Sequence, residues 1–492
     1  MKNYFRNSPS WDRETSPHRS TATRALTVVR ARAARKRRGE RGVALLLVMG
    51  TLTILTVMLT EFQDATSAEL GSSASARDQV RAEYAARSAV NLTRLLIAAE
   101  PTIRGPLALL TQGAQIPVWE YTDVILGAFN DVEGGAAFEG ISGMNLSEGR
   151  NLGMEGARFS LTVVDEDSKI NLNTAARADS FSQKRMAEQL LSLIGGVQYN
   201  EYFEEAEDEN GNRLDRVTVC SALIDWVDPN SDRSRCDPRA ETATASAPED
   251  SYYQLLDKPY QRKNAGFDSL EELHLVQGVT DEFWSTFLVP DPDDEKSRVV
   301  TVWGGGKVNV NSANEQTLLA VVCHQAKPET PLCIDPVMRQ KYLMTSRMFS
   351  SMTSGIPIFA TPKDFVKAIQ GKGMFGQMLT SMGIEPVEVF SEKLMREAVT
   401  TESKVFSIYA TGYVKSGRRE TRSRIHAVVD MRGAPPPGTV ENETKLKQIE
   451  TLLAENKAGS SGFELPSELG EGGLARAVLP RPGGSIIYYR VD

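Results

Sequence analysis

Histidine is scarce here, with four in 492 residues. His18, His274, His324 and His426 each lack a Ser, Cys or Asp partner at hydrolase spacing, which argues against an enzyme. A phosphate loop is lacking as well. Gly304-Gly305-Gly306-Lys307 is glycine-rich, yet it leads into a strand-like stretch where a P-loop requires a helix N-terminus. Cysteine is limited to Cys220, Cys236, Cys323 and Cys333, two locally spaced pairs without CxxC or HxxxH spacing. If the body is exported, each pair can close a short loop as a disulfide; four separate buried thiols, or a zinc site using His324, are the alternatives.

Positive charge is concentrated at one end. Residues 1–42 hold 12 Lys/Arg against Asp12, Glu14 and Glu40, a balance of +9, so the remainder carries −17 although the whole chain stands at −8. An acidic body repels phosphates, which argues against nucleic acid as a partner, and it favours divalent cations. At this length two or three folded units are expected.

Val43 to Thr60 is an apolar run of 18 residues without a charge. As a helix it rises ~27 Å, about one bilayer core. Arg35-Lys36-Arg37-Arg38 and Arg41 hold its start in the cytoplasm, so everything after Thr60 is exported. Thr60-Glu61-Phe62-Gln63 offers no small-residue cleavage site, and the apolar helix is expected to stay attached. Ala76 to Ala99 continues without Pro or Gly, with Val80, Tyr84, Leu92, Leu95 and Leu96 at helical spacing as the expected packing face. Val43 to Ala99 thus predicts one helix of about 85 Å, with a bend at Gly71 if anywhere and a stop at Glu100-Pro101.

Basic leader, glycine, uncharged helix and amphipathic continuation resemble the layout of type IV pilins and pseudopilins. There, prepilin peptidase cuts after the glycine and methylates the new N-terminus, which the resemblance places at Gly42 and Val43. An ordinary signal anchor has the same apolar run and flank. The leader is long for such proteins, and Val28 or Val29 offers a later start. Most family members carry Glu at the fifth mature position, where it pairs with a neighbouring subunit's terminal amine; this chain has Leu47. One class lacks that Glu, the general secretion pathway protein K family, the large minor pseudopilin of type II secretion.

The body supports the same resemblance. Arg158 to Val164 alternates as a strand and runs into Lys169-Ile170-Asn171-Leu172-Asn173-Thr174-Ala175, a stretch repeated at Lys307-Val308-Asn309-Val310-Asn311-Ser312-Ala313. Helices are expected over 182–194, 219–227, 269–276, 317–322, 336–348 and 361–369, with capping boxes at Ser312/Glu315 and Ser269/Glu272. Val405 to Val414 and Ser423 to Met431 read as returning strands joined near Ser416-Gly417, completing the sheet begun at Arg158. Residues 433–484 are rich in Gly, Pro, Glu and Ser with one helical candidate, Glu443 to Glu455, before an apolar terminus at Ile486 to Tyr489. With Ala222 to Asp228, Glu249 to Tyr253 and Asp268 to Leu273, the two repeat copies stand in the order found in protein K.

The resemblance implies an α+β protein: an N-terminal transmembrane pseudopilin helix and a pilin-like antiparallel sheet, with a large inserted, mainly helical, SAM-like and duplicated domain. The expected layout is leader 1–42, long helix 43–100 with 43–60 in the membrane, pseudopilin part 101–175, helical insertion 176–400, returning strands 401–432 and tail 433–492. It also implies inner-membrane insertion with a periplasmic body. The partners would be the minor pseudopilins I and J, the pseudopilus and prepilin peptidase, and no nucleic acid.

Asp225, Asp228, Asn230, Asp232, Glu249 and Asp250 gather hard oxygen donors of the kind calcium takes. Members of the family bind calcium in this region, and the resemblance assigns Asp228, Asp232, Glu249 and Asp250 as ligands; a solvated acidic loop with an N-capping Asp is the alternative. Leu270 to Phe283 has the look of a helix-hairpin-helix, so a membrane-anchored DNA-uptake receptor stays open as a rival, beside a type IV pilus minor pilin and a signal-anchored adhesin. Four acids within that motif favour a packing role.

Overall fold

Strong helix formers from the leader onward carry the first helix further than its apolar core requires. In the computed structural model α1 runs Leu26–Leu110, through Gly71 and past Pro101, where the sequence predicted a stop. A proline removes one backbone donor, and here the turns on either side outlast that loss. The structure describes residues 26–110, 117–130, 153–154, 156–177, 179–205, 215–237, 244–248, 250–353, 356–434 and 483–492. The chain divides into two units, Met1–Ala76 and Arg77–Asp492. In the first, the side chains of Val43 to Leu59 are exposed along α1, the one helix among the described residues long and apolar enough to cross a membrane.

In the second unit a short α2 (Thr122–Gly127) precedes β1 (Ala157–Asp165), whose alternation turns Phe159, Leu161 and Val163 inward. Asn130 holds the strand's outer edge, accepting from the Phe159 N–H at 2.8 Å and donating to the Phe159 carbonyl at 2.6 Å. The helical insertion follows. Its first half comprises β2 (Ile170–Asn171), α3 (Ser180–Ile194), α4 (Arg216–Val227), the ribbon β3 (Asp232–Ser234) with β4 (Thr244–Pro248), and β5 (Val300–Thr301). Its second half comprises β6 (Val308–Asn309), α5 (Glu315–Cys323), α6 (Pro336–Thr353), α7 (Pro362–Ile369), α8 (Gly373–Ser381) and β7 (Val399–Thr400). Each half has its own core, around Leu190, Leu223 and Phe287 in the first and Leu319, Phe365 and Met395 in the second.

The chain then returns as β8 (Val405–Ser416), turns at Gly417 with φ of +62°, runs back as β9 (Arg419–Asp430) and ends in β10 (Ser485–Val491). The sheet is antiparallel in the order β1-β8-β9-β10, with Leu161 opposite Ala410 and Ile408 opposite Ala427. The insertion therefore leaves and re-enters at neighbouring strands.

The face that α1 turns to this sheet matches the expected one in part, since Leu92 and Leu96 pack on the sheet's core. Val80, Tyr84 and Leu95 are exposed, whereas Ala82, Ala85, Ala86 and Ala89 are buried. Gly412 of β8 is the cause: a Cβ built there would lie 1.9 Å from the Ala82 carbonyl oxygen. The backbones approach too closely for anything larger than methyl groups between them.

The repeat is structural as well as sequential. β2 pairs in parallel with β5, and β6 with β7. In each copy the first Asn accepts from the N–H two residues on, Asn171 from Asn173 at 2.9 Å and Asn309 from Asn311 at 3.0 Å. The second Asn clamps an incoming loop and the closing strand. Asn173 donates to the Phe267 and Val302 carbonyls, and Asn311 to those of Phe359 and Thr401.

Two expected caps are replaced. Asn314 caps α5 by accepting from Thr317 N–H at 2.8 Å, while Ser312 donates its hydroxyl to Asp165 and Glu315 pairs with Arg347. Ser269 makes no side-chain cap, Glu272 accepts from Asp268 N–H at 3.0 Å, and 270–275 winds as a tighter 3₁₀ segment.

Candidate functional site

The N-terminal candidates lie in α1, where Val43 and Leu47 are exposed. Gly42 shares the helix, but its surroundings and residues 1–25 lie outside the described residues.

The acidic loop is built on the C-terminus of α4. Asp215 caps the start of that helix through Thr218 N–H at 2.9 Å, and the apolar run Val219 to Val227 buries the helix, carrying Asp225 and Asp228 inside. Asp225 Oδ1 accepts from Ser234 N–H at 2.6 Å. Asp228 is fully buried; its Oδ2 accepts from Gln183 at 3.1 Å and Asn230 at 2.6 Å, and its Oδ1 has no hydrogen-bond partner. Burial pushes the Asp225 carboxyl up to about 7 and that of Asp228 up to about 6.

Arg262, which no sequence motif marked, supplies the compensating charge. Its guanidinium donates to Asp250 Oδ1 at 2.9 Å, the Asp225 carbonyl at 2.7 Å and the Asn230 carbonyl at 3.3 Å. Of the four residues assigned as ligands, Asp250 pairs with this guanidinium, whose positive charge also favours the ionised form of Asp228. Asp232 is exposed, its N–H held by Asn230 at 2.8 Å, and Glu249 lies outside the described residues. No group of three or more His, Cys, Asp or Glu converges among the described residues. Asp228 Oδ1 is a buried hard-oxygen acceptor without a hydrogen-bond partner, while the Asp225 and Asn230 carbonyls accept from Arg262.

A second polar cluster escaped the sequence reading. The turn after β1 buries Asp165, Glu166, Asp167 and Lys169. Asp165 accepts from Ser312 and Ser403; Glu166 accepts from Thr301 and Ser407, each at 2.5 Å; Asp167 accepts from the N–H groups of Gly305, Lys404 and Val405 at 3.1, 2.8 and 3.1 Å. Burial raises the Asp165 carboxyl to about 7. One turn thereby joins the sheet to both helical halves, through hydroxyls that look ordinary in the sequence.

Cys220 bonds to Cys236 and Cys323 to Cys333, with Cα separations of 5.9 and 5.6 Å. No thiolate remains for zinc, and His324 is buried with its Nδ1 against the Val321 carbonyl. In the hairpin-like segment the turn N–H groups serve packing: Gln277 donates to Tyr253 Oη at 3.2 Å and Val279 to the Val276 carbonyl at 3.1 Å. Residues 281–288 form a short α turn and one π turn in place of a second full helix.

Residues 168–288, the span from the buried turn through the first helical half, match the family model of type II secretion system protein K. Over that segment the chain is similar to protein K of that system. The fold mixes helices with an antiparallel sheet. Among solved structures it is similar to a chain of the GspK-GspI-GspJ complex of the type 2 secretion system from enterotoxigenic Escherichia coli, at 14% identity and a TM-score of 0.33 over 56% of this chain and 76% of that one. No curated protein matches it.

Proposed function

We propose that this chain is a protein K-type minor pseudopilin of type II secretion and caps the tip of a periplasmic pseudopilus that helps drive folded proteins across the outer membrane. The carrying observation is the protein K segment at 168–288, held between neighbouring strands of a sheet that packs on α1. α1 joins a bundle of pseudopilin helices from the inner membrane. Leu47 in place of the usual carboxylate gives no acceptor for the amine of a subunit above it, as suits a terminal position. Minor pseudopilins I and J are its proposed neighbours; the solved assembly named above contains GspI and GspJ beside GspK. Prepilin peptidase cuts after Gly42 and methylates Val43. Asp228, Asp232, Glu249 and Asp250 hold calcium, whose charge would draw the two buried, proton-retaining aspartates, Asp225 and Asp228, into their ionised form.

Mass spectrometry of the membrane-extracted protein tests the processing, with a methylated N-terminus at Val43 expected; an intact leader or another cut contradicts a pseudopilin. Electron microscopy tests the cap, because loss of the chain should alter the length distribution of pseudopili made from the major subunit. An unchanged distribution rejects the tip assignment.

A further inference from the structure

In the second helical half one face of α6 is left largely exposed among the described residues. Arg339 and Tyr342 are buried on the inward side, while Val337, Met344, Met348 and Met352 are 71%, 62%, 40% and 72% exposed. Spacings of seven, four and four residues put these four side chains on one stripe, with Lys341 in its path. α4, the corresponding helix of the first half, instead buries every residue from Val219 to Val227. The exposed stripe covers on the order of 400 Å², the size at which an apolar patch marks an interaction surface.

Charge narrows what fits it. Residues 336–383 carry Arg339, Lys341, Arg347, Lys363, Lys367 and Lys372 against one acid, Asp364, on a body of net −17. All four lysines are exposed. Methionine's flexible, polarisable side chain suits packing against a helix of varied sequence. A lipid surface fits less well, since the stripe contains no Trp, Phe or Leu and, within α6, Arg339 is buried and Arg347 is tied to Glu315.

We propose that this face of α6 docks an amphipathic α-helix of a partner protein, the partner's apolar stripe on Met344, Met348 and Met352 and its acidic flank toward the lysines. The surface is small, so the contact is transient, with a dissociation constant on the order of 10 μM. This goes beyond the tip reading and does not depend on it.

The test titrates the full-length chain, in phosphatidylcholine nanodiscs, against two fluorescein-labelled 18-residue peptides. One has leucines at heptad spacing with glutamate flanks; the other has lysine in place of every glutamate. Anisotropy should report micromolar binding of the glutamate peptide and at least tenfold weaker binding of the lysine peptide. The double variant Met344→Asp/Met348→Asp should lose at least tenfold with an unchanged unfolding midpoint, while Met344→Leu binds as the parent does. Equal binding of the two peptides, no binding of either, or an unaffected double variant overturns the proposal. So does binding that emerges only after residues 440–456 are deleted, which would make the chain's own segment the occupant. Self-association, or pelleting with phosphatidylglycerol vesicles, that Met348→Asp abolishes in the absence of peptide binding would likewise replace the partner helix by a second copy or a membrane.

Discussion

Gly412→Ala is the sharpest test of how α1 is seated. The added Cβ would stand 1.9 Å from the Ala82 carbonyl oxygen and 2.8 Å from the Ala86 nitrogen, where ordinary contact begins near 3.4 Å. Both obstacles are backbone, so no side-chain rotation relieves them, and α1 must lift by about 1.5 Å over the contact between Ala82 and Ala89. Overpacking of this kind costs about 1–3 kcal/mol. With rigid elements on both sides the upper end applies, about 3 kcal/mol. Urea unfolding of the detergent-solubilised protein, followed by near-ultraviolet circular dichroism, should show a lower midpoint at unchanged slope. Trp119, 5.5 Å from Phe406, lies in that same core. Gly71→Ala is the matched control: a Cβ there meets nothing within 4 Å, and helix propensity predicts a gain of about 0.5–1 kcal/mol. A Gly412→Ala protein within about 0.5 kcal/mol of the parent would refute the close approach.

The remaining expectations concern the insertion. Asn311→Ala removes the acceptor of Ile358 and Phe359 N–H and the donor to two carbonyls, and should destabilise by about 2–4 kcal/mol, with Asn173→Ala producing a similar loss; limited proteolysis should find new cleavage near the freed loop in each case. Cys333→Ser opens a 10-residue loop and should lower stability by about 2.5 kcal/mol, read from urea midpoints in the absence of reductant. Asp225 and Asp228 have folded pKa values of about 7 and about 6, above their unfolded values, so the folded state holds protons more tightly and their contribution to stability falls as pH rises from about 4 to 7. The double variant Asp225→Asn/Asp228→Asn should flatten that part of the pH profile relative to the parent, and an identical profile would contradict the assignment. Calcium should raise the parent's midpoint most above pH 7 and leave Asp228→Asn unmoved.

Much of the fold could be read along the chain because its determinants are local. The alternation at Arg158 to Val164 and Val405 to Val414 marks half-buried strands, and the Asn-x-Asn stretches mark turns whose side chains bond the backbone two residues away. The packing face of α1 was legible only in part: Leu92 and Leu96 pack as expected, but Val80, Tyr84 and Leu95 are exposed because Gly412, more than three hundred residues later, brings the backbones too close at the alanines. Ser312 looked like a cap because its spacing to Glu315 is correct; the competing carboxylate at Asp165 belongs to a distant strand end. In the acidic loop the aspartates were visible, whereas Arg262 gained its place only through the tertiary path from Asn230 to Asp250.

The insertion departs after Asp165 and returns at Val405, and Asp167 accepts from Val405 N–H at 3.1 Å. The insertion also grips the sheet away from that crossing, with Arg298 donating to Tyr409 Oη, Arg424 pairing with Glu295, and Trp303 packing beside Tyr488. A change in the insertion's length or shape would have to keep these anchors for the helical block to hold its place on the sheet.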